Sequence, residues 1–249
     1  MANIIRRLFP RASKYDRRWA LENSLGENVL YNTEALAKSL DLRPGMRVLD
    51  LGCGKAASSI FLAREYGVNV WAVDNSVDEQ ENARRIRCAF VEEKVTPVQA
   101  DAERLPFEKE FFDVVIAVDS YMYYGTKKRY LPYLLQFVKP EGRIAVIDAC
   151  FRREVSDTSK APGYLRGKLR TLFRKMHSVK WWRDLWKSSG KVKLLDASEL
   201  KESDAILEQY VRDFEERHDE QELVKIVKQD GGRFIRIFKL IAQKRRTVG

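Results

Sequence analysis

The chain has 249 residues, of which 45% are hydrophobic and 33% charged, a composition typical of a folded protein with one large domain. No apolar run approaches the roughly 20 residues that a membrane-spanning helix needs, and arginines stand where a signal peptide needs an apolar stretch. The three cysteines (Cys53, Cys88 and Cys150) have no metal-binding spacing, so we expect a cytoplasmic protein without a metal site.

Secondary structure alternates through the first 150 residues. Residues 15–42 have the apolar stripe of a helix, which Pro44-Gly45 ends. Strands are predicted at 47–51, 70–73, 96–99, 112–118 and 143–148, and helices at 57–66, 78–93 and 128–137. We expect residues 139–142 to separate the last helix from the last of these strands. The alternation predicts parallel βαβ units and a doubly wound sheet.

The pattern changes after Asp148. Residues 151–190 are basic and aromatic, and we interpret them as a helical cap that ends with a helix at 181–189. A strand at 192–195 and helices at 203–217 and 220–228 follow. Residues 234–242 alternate apolar and charged side chains, which indicates an antiparallel strand near a sheet edge.

The predicted fold is an α/β, doubly wound, Rossmann-like sheet of seven strands, mostly parallel with an antiparallel last strand. We expect one domain in three segments. Residues 1–150 form an N-terminal lid helix and a cofactor-binding core, residues 151–190 form the cap, and residues 191–249 complete the sheet.

The net charge of +10 is concentrated in two segments. Residues 1–20 contain six basic residues and one acidic residue, and residues 151–193 contain thirteen basic and three acidic residues. Such segments attract phosphates, nucleic acid or anionic lipid. A solvated surface that only favours solubility is an equally good interpretation.

A glycine loop follows the first predicted strand, in the sequence Asp50-Leu51-Gly52-Cys53-Gly54. Glycines at this place let the backbone turn tightly and approach a ligand. A dinucleotide fingerprint would have a third glycine at position 57, which is Ala57 here. The carboxylate of Asp50 disfavours a pyrophosphate and suits a cofactor with an amino group and a positive charge.

This loop resembles that of the class I S-adenosylmethionine-dependent methyltransferases. The resemblance extends over residues 30–150 and includes the acid Asp74 at the end of the second strand. Residues 99–107 are similar to the family's "DA..LPF" stretch, and residues 112–120 and 134–148 match its later strands. The resemblance implies S-adenosylmethionine as the cofactor, S-adenosylhomocysteine as its product, and no metal.

The resemblance also implies roles for individual residues. Asp74 would bind the ribose hydroxyls, Asp101 would accept from the adenine amino group, and Ala102 would lie beside the ring. Cys53 is expected to be a small packing residue. The predicted cofactor-binding residues are Asp50, Gly52, Cys53, Gly54, Asp74, Asn75, Asp101, Ala102, Asp119 and Ser120.

Three residues are candidates for chemistry at the methyl group. Asp119 and Tyr121 follow the strand that faces the methyl, and His177 suits a base near neutral pH. Packing for the tyrosine, and packing or helix capping for the histidine, are the alternatives. The other histidine, His218, is expected at the surface. Predicted acceptor-binding residues are Tyr15 and Tyr31 of the lid, Tyr123, and Trp181.

The leading functional hypothesis is in-line methyl transfer to a small-molecule or lipid-like acceptor, for which aromatic residues supply walls and basic residues favour an anionic group. One alternative is RNA or tRNA methylation through the basic segments. Another is a non-catalytic binding module with the same fold.

Overall fold

The computed structural model describes residues 2–26, 28–171, 173–216 and 221–246. Its single sheet has the strand order β3-β2-β1-β4-β5-β7-β6. The strands are β1 (Arg47–Leu51), β2 (Asn69–Asp74), β3 (Val95–Gln99), β4 (Phe112–Val118), β5 (Val138–Phe151), β6 (Val192–Glu199) and β7 (Ile235–Lys244). Strands β1 to β5 pair in parallel, and β7 pairs antiparallel with both β5 and β6. The predicted fold class is confirmed.

The prediction of an antiparallel last strand near a sheet edge is confirmed, because β7 is the second strand from the edge of the sheet. Strand β7 is inserted between β5 and β6, so that β6 forms the edge. Its charged residues do not face open solvent, because Arg236 pairs with Asp204 and Lys239 with Asp196 (2.9 Å). Ion pairs therefore allow an alternating sequence to occupy an interior position.

Helices cover both faces of the sheet. They are α1 (Ala2–Leu8), α2 (Arg17–Glu22), α3 (Val29–Ala37), α4 (Ala57–Tyr66), α5 (Glu79–Cys88), α6 (Tyr130–Leu134), α7 (Gly163–Arg166), α8 (Val179–Ser188), α9 (Ser203–Glu216) and α10 (Glu222–Asp230). Successive strand residues point to opposite faces, so Val48 belongs to the core under α3, α4 and α9, and Leu49 to the core under α6 and α8. This two-sided burial explains the continuous apolar strands of the sequence.

The single predicted helix at 15–42 is wrong. Between α2 and α3 lie residues 23–26, which we call the strap, and Asn28, and α1 precedes both helices. Leu25 of the strap packs on Gly54, and Gly26 lies against Asp119. Asn28 has a left-handed backbone (φ 49°) before α3. Contacts of the strap with Gly54 and Asp119 therefore take the place of the helical hydrogen bonds that the apolar periodicity of the sequence predicts.

Three further boundaries differ from prediction. Helix α5 ends at Cys88 because Phe90 is left-handed (φ 52°), and α6 covers only Tyr130–Leu134. Residues 139–142 do not precede the fifth strand but belong to it, because β5 begins at Val138. The pairing of β5 with β4 shifts its register at these residues. Gly142 is required there, since a Cβ would lie 2.9 Å from the Asp113 carbonyl oxygen.

The cap contains less helix than the sequence predicts. Between β5 and α8 the described residues form the short helix α7, a 3-10 turn at Thr158–Lys160, and turns. Side chains hold this segment in place: Trp182 and Trp186 are buried beneath it, and Tyr164 donates to Asp230 (2.6 Å). The division of the chain at residues 150 and 190 stays a prediction. Among the described residues, no helix has the length and apolarity to cross a bilayer.

Trp186 should contribute more to stability than Trp181 on the same helix, because Trp186 is fully buried and Trp181 is half-buried. We expect Trp186→Ala to lower the free energy of unfolding by about 3–5 kcal/mol. Trp181→Ala, the matched control, should cost clearly less. Urea denaturation of both variants measures the difference, and equal losses would contradict the packing described for the cap.

Candidate cofactor and acceptor site

A cleft of about 540 Å³ opens at the carboxyl ends of β1, β2 and β4. Strand order reverses between β1 and β4, which is where open α/β sheets bind ligands. The predicted residues that line the cleft are Gly52, Cys53, Gly54, Asp74, Asn75, Asp101, Ala102, Asp119, Ser120 and Tyr123. We call this cavity the cofactor cleft.

The glycine loop is pressed against the end of β4. Gly52 has a left-handed backbone (φ 74°), and a Cβ there would lie 2.6 Å from the Cβ of Ser120. The Ser120 hydroxyl donates to the Leu51 carbonyl oxygen (2.8 Å) and so ties the loop to β4. Position 52 therefore requires glycine for both its conformation and its clearance.

Asp74 fixes the other side of the loop. Its Oδ2 accepts from the backbone N–H of Gly54 (2.8 Å). Its Oδ1 accepts from the backbone N–H (2.8 Å) and the hydroxyl (2.7 Å) of Ser76. These bonds orient the carboxylate at the rim of the cleft and leave acceptor capacity on Oδ2.

The cofactor cleft is lined by an excess of carboxylates. Asp74, Asp101, Glu103 and Asp119 all line it, whereas the cation that lines it, Lys127, is paired with Glu103 (2.7 Å). This charge distribution opposes a phosphate-bearing ligand. It favours a cationic ligand with hydroxyl and amino groups.

Asp50 does not line the cleft, contrary to its predicted direct role. It is fully buried at the end of β1 and accepts hydrogen bonds from Ser58 and Ser59 (2.6 Å to Ser59). Burial raises its pKa to about 6, although the two serine hydroxyls counteract this. Ser58 also lines the cleft. Asp50 therefore contacts the lining of the cleft through the Ser58 hydroxyl.

Cys53 is a buried lining residue. Burial first, and the charges of Asp50 and Asp74 next, raise the pKa of its thiol well above the usual value. A protonated thiol is a poor nucleophile, which agrees with the expected packing role.

Two of the three predicted catalytic residues lie away from the cleft. Tyr121 is buried against Trp182 and Trp186, where burial raises its pKa. His177 stacks on Trp181 (3.6 Å between ring centroids), and its Nδ1 lies 2.8 Å from Oε1 of Glu154. The packing alternatives fit both residues, and Trp181 lines a separate surface groove. His218 lies outside the described residues.

The third candidate, Asp119, lines the cofactor cleft. It has a left-handed backbone (φ 50°) immediately after β4. The side-chain amide of Asn32 donates to both of its carboxylate oxygens, at 3.1 Å each. Sequence reasoning missed Asn32, because its partner is 87 residues away and no motif marks it.

A second cavity of about 640 Å³, the acceptor pocket, adjoins the cofactor cleft. Both cavities are lined by Ser24, Leu25, Gly26 and Val29, which form a shared wall. Tyr15 and Tyr31 line this pocket and Tyr123 lines the cofactor cleft, while the acceptor-binding role of all three stays a prediction. Helix α9 supplies the opposite side, including Gln209, Tyr210 and Asp213, a contribution the sequence did not signal.

Comparison with known proteins gives a family and a fold. The profile of the family described as "Methyltransferase domain" matches residues 42–229. The methyltransferase GfsG of Streptomyces halstedii is 32% identical over 130 residues, which are 52% of this chain and 47% of GfsG. The chain thus spans less than half the length of the curated relatives it matches.

Two solved structures share the fold. The [4+2]-cyclase SpnF has a TM-score of 0.71 and 18% identity, with 88% of this chain and 83% of SpnF covered. Phosphoethanolamine N-methyltransferase 2 of Haemonchus contortus, solved in complex with S-adenosyl-L-methionine, has a TM-score of 0.71 and 16% identity. That comparison covers 92% of this chain and 56% of the other. The match to a cyclase means that activity has to be argued from the site.

Gly52→Ala should damage the cleft more than Gly45→Ala. Both glycines are left-handed (φ 74° and 82°), but a Cβ at Gly45 meets nothing within 4 Å, whereas one at Gly52 collides with Ser120. We expect Gly45→Ala to cost about 1–2 kcal/mol of unfolding free energy and Gly52→Ala distinctly more. Urea denaturation measures the loss of unfolding free energy in both variants. Equal losses would show that the contact with Ser120 does not add to the cost of Gly52→Ala.

Asp50 should make stability fall as the pH rises from about 4 to 6. Its pKa of about 6 in the folded chain exceeds the usual 3.8, so the native state keeps a proton that the unfolded chain releases. Stabilisation by this proton is complete below pH 4 and is lost as pH rises through 6, to a total of about 3 kcal/mol. Unfolding at pH 4.5 and 7 should show a weaker pH dependence for Asp50→Asn than for the exposed control Asp41→Asn. Identical slopes would contradict the raised pKa.

Proposed function

The chain belongs to the methyltransferase-domain family, and we propose that it transfers the methyl group of S-adenosylmethionine to a small-molecule acceptor. The observation that carries the proposal is the carboxylate-lined cofactor cleft, which shares one wall with a separate acceptor pocket. S-adenosylhomocysteine would be the product.

The residues of the cleft fit this cofactor. Asp74 would offer Oδ2 to the ribose hydroxyls, and Asp101 and Ala102, which line the same cleft, would contact the adenine. The glycine loop and Ser120 supply close backbone contact, and the carboxylates attract a sulfonium. Asp50 would hold Ser58 in position rather than bind directly. Asn75 and Cys53 complete the lining.

The bound cofactor supplies a methyl group on an activated sulfonium leaving group. The task of the protein is to align acceptor and methyl and to exclude water. Lys55 donates to the Glu22 carbonyl oxygen (2.8 Å), and Leu25 rests on Gly54, so the strap lies across the glycine loop. These contacts support the expected role of the N-terminal segment as a lid.

We further propose that the acceptor carries a phosphate or carboxylate. Arg6, Arg17 and Lys55 line the acceptor pocket. Arg17 is paired with Asp213 and Glu216, and Lys55 with a carbonyl oxygen, but Arg6 has no ion-pair partner among residues 2–26, 28–171, 173–216 and 221–246. Its guanidinium is therefore available to an anionic group.

The basic cap gives little support to RNA methylation. None of residues 151–171 or 173–193 lines either cavity. The cap does contact the rim of the cleft, where Lys175 donates to the carbonyl oxygen of Tyr123. For the described part of the chain, no group of three or more His, Cys, Asp or Glu side chains is arranged to hold a metal ion. The cytoplasm remains the proposed location.

Asp74→Asn should weaken S-adenosylmethionine binding by about tenfold or more, because charge-assisted hydrogen bonds contribute about 1.5–3 kcal/mol. The matched control is Asp78→Asn, which changes the cap of α5 outside the cleft. Calorimetry gives the affinities, and labelled cofactor with a fractionated cell extract gives the acceptor class. Label in the metabolite fraction supports the proposal. Label in RNA, or no cofactor binding by the unmodified chain, overturns it.

A further inference from the structure

We infer that Lys175 of the cap is a positioning residue for the cofactor cleft. It holds the Tyr123 ring at the opening of the cleft and thereby slows the release of S-adenosylmethionine. The inference rests on the proposed function and goes beyond it, because it gives a binding role to the basic cap, whose described residues line neither cavity.

Tyr123 stands at the opening of the cleft on an anchored turn. The 3-10 turn Tyr121–Tyr123 follows β4, and Tyr124 comes directly after it. Tyr121 is buried in the core, and the Tyr124 hydroxyl donates to the Leu51 carbonyl oxygen (2.9 Å). Tyr123 is 61% exposed and nevertheless lines the cofactor cleft. The other two tyrosines thus fix the turn to the core and to the glycine loop, and the Tyr123 ring lies at the rim.

Lys175 contacts Tyr123 in two ways. Its Nζ donates to the carbonyl oxygen of Tyr123 and lies 6.0 Å from the centroid of the Tyr123 ring. The hydrogen bond holds the backbone of the turn, and an ammonium group within about 6 Å of an aromatic face is attracted to it. One side chain of the cap therefore holds both the backbone and the ring of Tyr123.

The backbone that carries Lys175 is itself anchored. Phe173 and Met176, which flank Lys175 in the chain, are both buried, and the Phe173 ring packs on that of Phe151 at the end of β5 (6.0 Å between centroids). The backbone N–H of Phe151 donates to the carbonyl oxygen of His177 (3.3 Å). Because β5 is the neighbour of β4 in the sheet, the cap presents Lys175 from a fixed position to the turn that follows β4.

The position of the Tyr123 ring matters for a ligand of the cleft. The side chains of Leu25 and Tyr123 are 62% and 61% exposed, and both line the cofactor cleft. Apolar surface at such an opening gains free energy when a ligand covers it. A ring that is already held in place loses less conformational freedom on binding, so Lys175 pre-organises Tyr123 for the cofactor. We expect the effect mainly in the dissociation rate.

The first experiment measures the binding and release of S-adenosylmethionine by the full chain, with calorimetry for the affinity and stopped-flow fluorescence for the dissociation rate. Lys175→Met should weaken binding by about threefold to tenfold, the effect of one lost hydrogen bond, and Lys175→Arg should restore most of the affinity. The matched control, Lys168→Met, removes a cap lysine that pairs with Glu222 and should bind as the unmodified chain does. Unchanged binding in Lys175→Met, or an equal loss in Lys168→Met, overturns the inference.

The second experiment separates positioning of Tyr123 from a general effect on the cap. Tyr123→Ala should weaken cofactor binding by about tenfold, because the ring no longer covers the ligand. Phe90→Ala, which removes an exposed ring outside the cleft, is the control. In the Tyr123→Ala background, Lys175→Met should add less than about twofold, because no ring is left to position. Additive losses would assign Lys175 a general structural role and overturn the inference.

Hydrogen exchange of the cofactor-free chain gives a readout that does not depend on a ligand. The backbone N–H groups of Tyr123 and Gly125 donate within the turn, at 3.1 and 2.8 Å. They should exchange faster in Lys175→Met than in Lys168→Met or the unmodified chain, and equal exchange would contradict the inference. Cofactor binding with the same affinity and dissociation rate in every variant overturns the inference alone. Absence of cofactor binding by the unmodified chain overturns the proposed function, and the inference with it.

Discussion

The contact between the Gly52 backbone and Ser120 is the constraint on which the site depends. Strands β1 and β4 are neighbours in the sheet, but the chain leaves them toward opposite faces. A loop without a side chain at position 52 can close against β4, so that Leu51 accepts from Ser120 while Gly54 donates to Asp74. The end of β4, and with it Asp119, is thereby set at a fixed distance from the glycine loop.

The two cavities differ in the charged residues that line them. The cofactor cleft presents carboxylates, and its lysine is neutralised by Glu103. The acceptor pocket presents an arginine that is not ion-paired among the described residues, together with aromatic rings and the ion pair of the exposed Arg17 with the buried Asp213. This difference agrees with the proposed assignment of a cationic cofactor to the cleft and of an anionic acceptor to the pocket.

The sequence predicts the first half of this molecule well, because its signals are local. Apolar runs mark the strands, and a glycine loop that follows a strand marks the cleft. The features that prediction missed depend on distant contacts: the strap contacts Asp119, and α9 supplies part of the pocket wall. Residue type and order in the sequence alone favour Tyr121 and His177 as catalytic residues. Whether such a side chain points into a cavity or into the core depends on packing that one sequence does not encode locally.

A wall that belongs to two cavities also links their equilibria. Leu25 rests on the glycine loop, and Gly26 touches Asp119, so a displacement of the strap by one ligand changes the shape offered to the other. Thermodynamic reciprocity then requires that each ligand alter the affinity of its partner by the same factor. Under the proposed function, the four residues of the shared wall would therefore couple the binding of the cofactor to that of the acceptor.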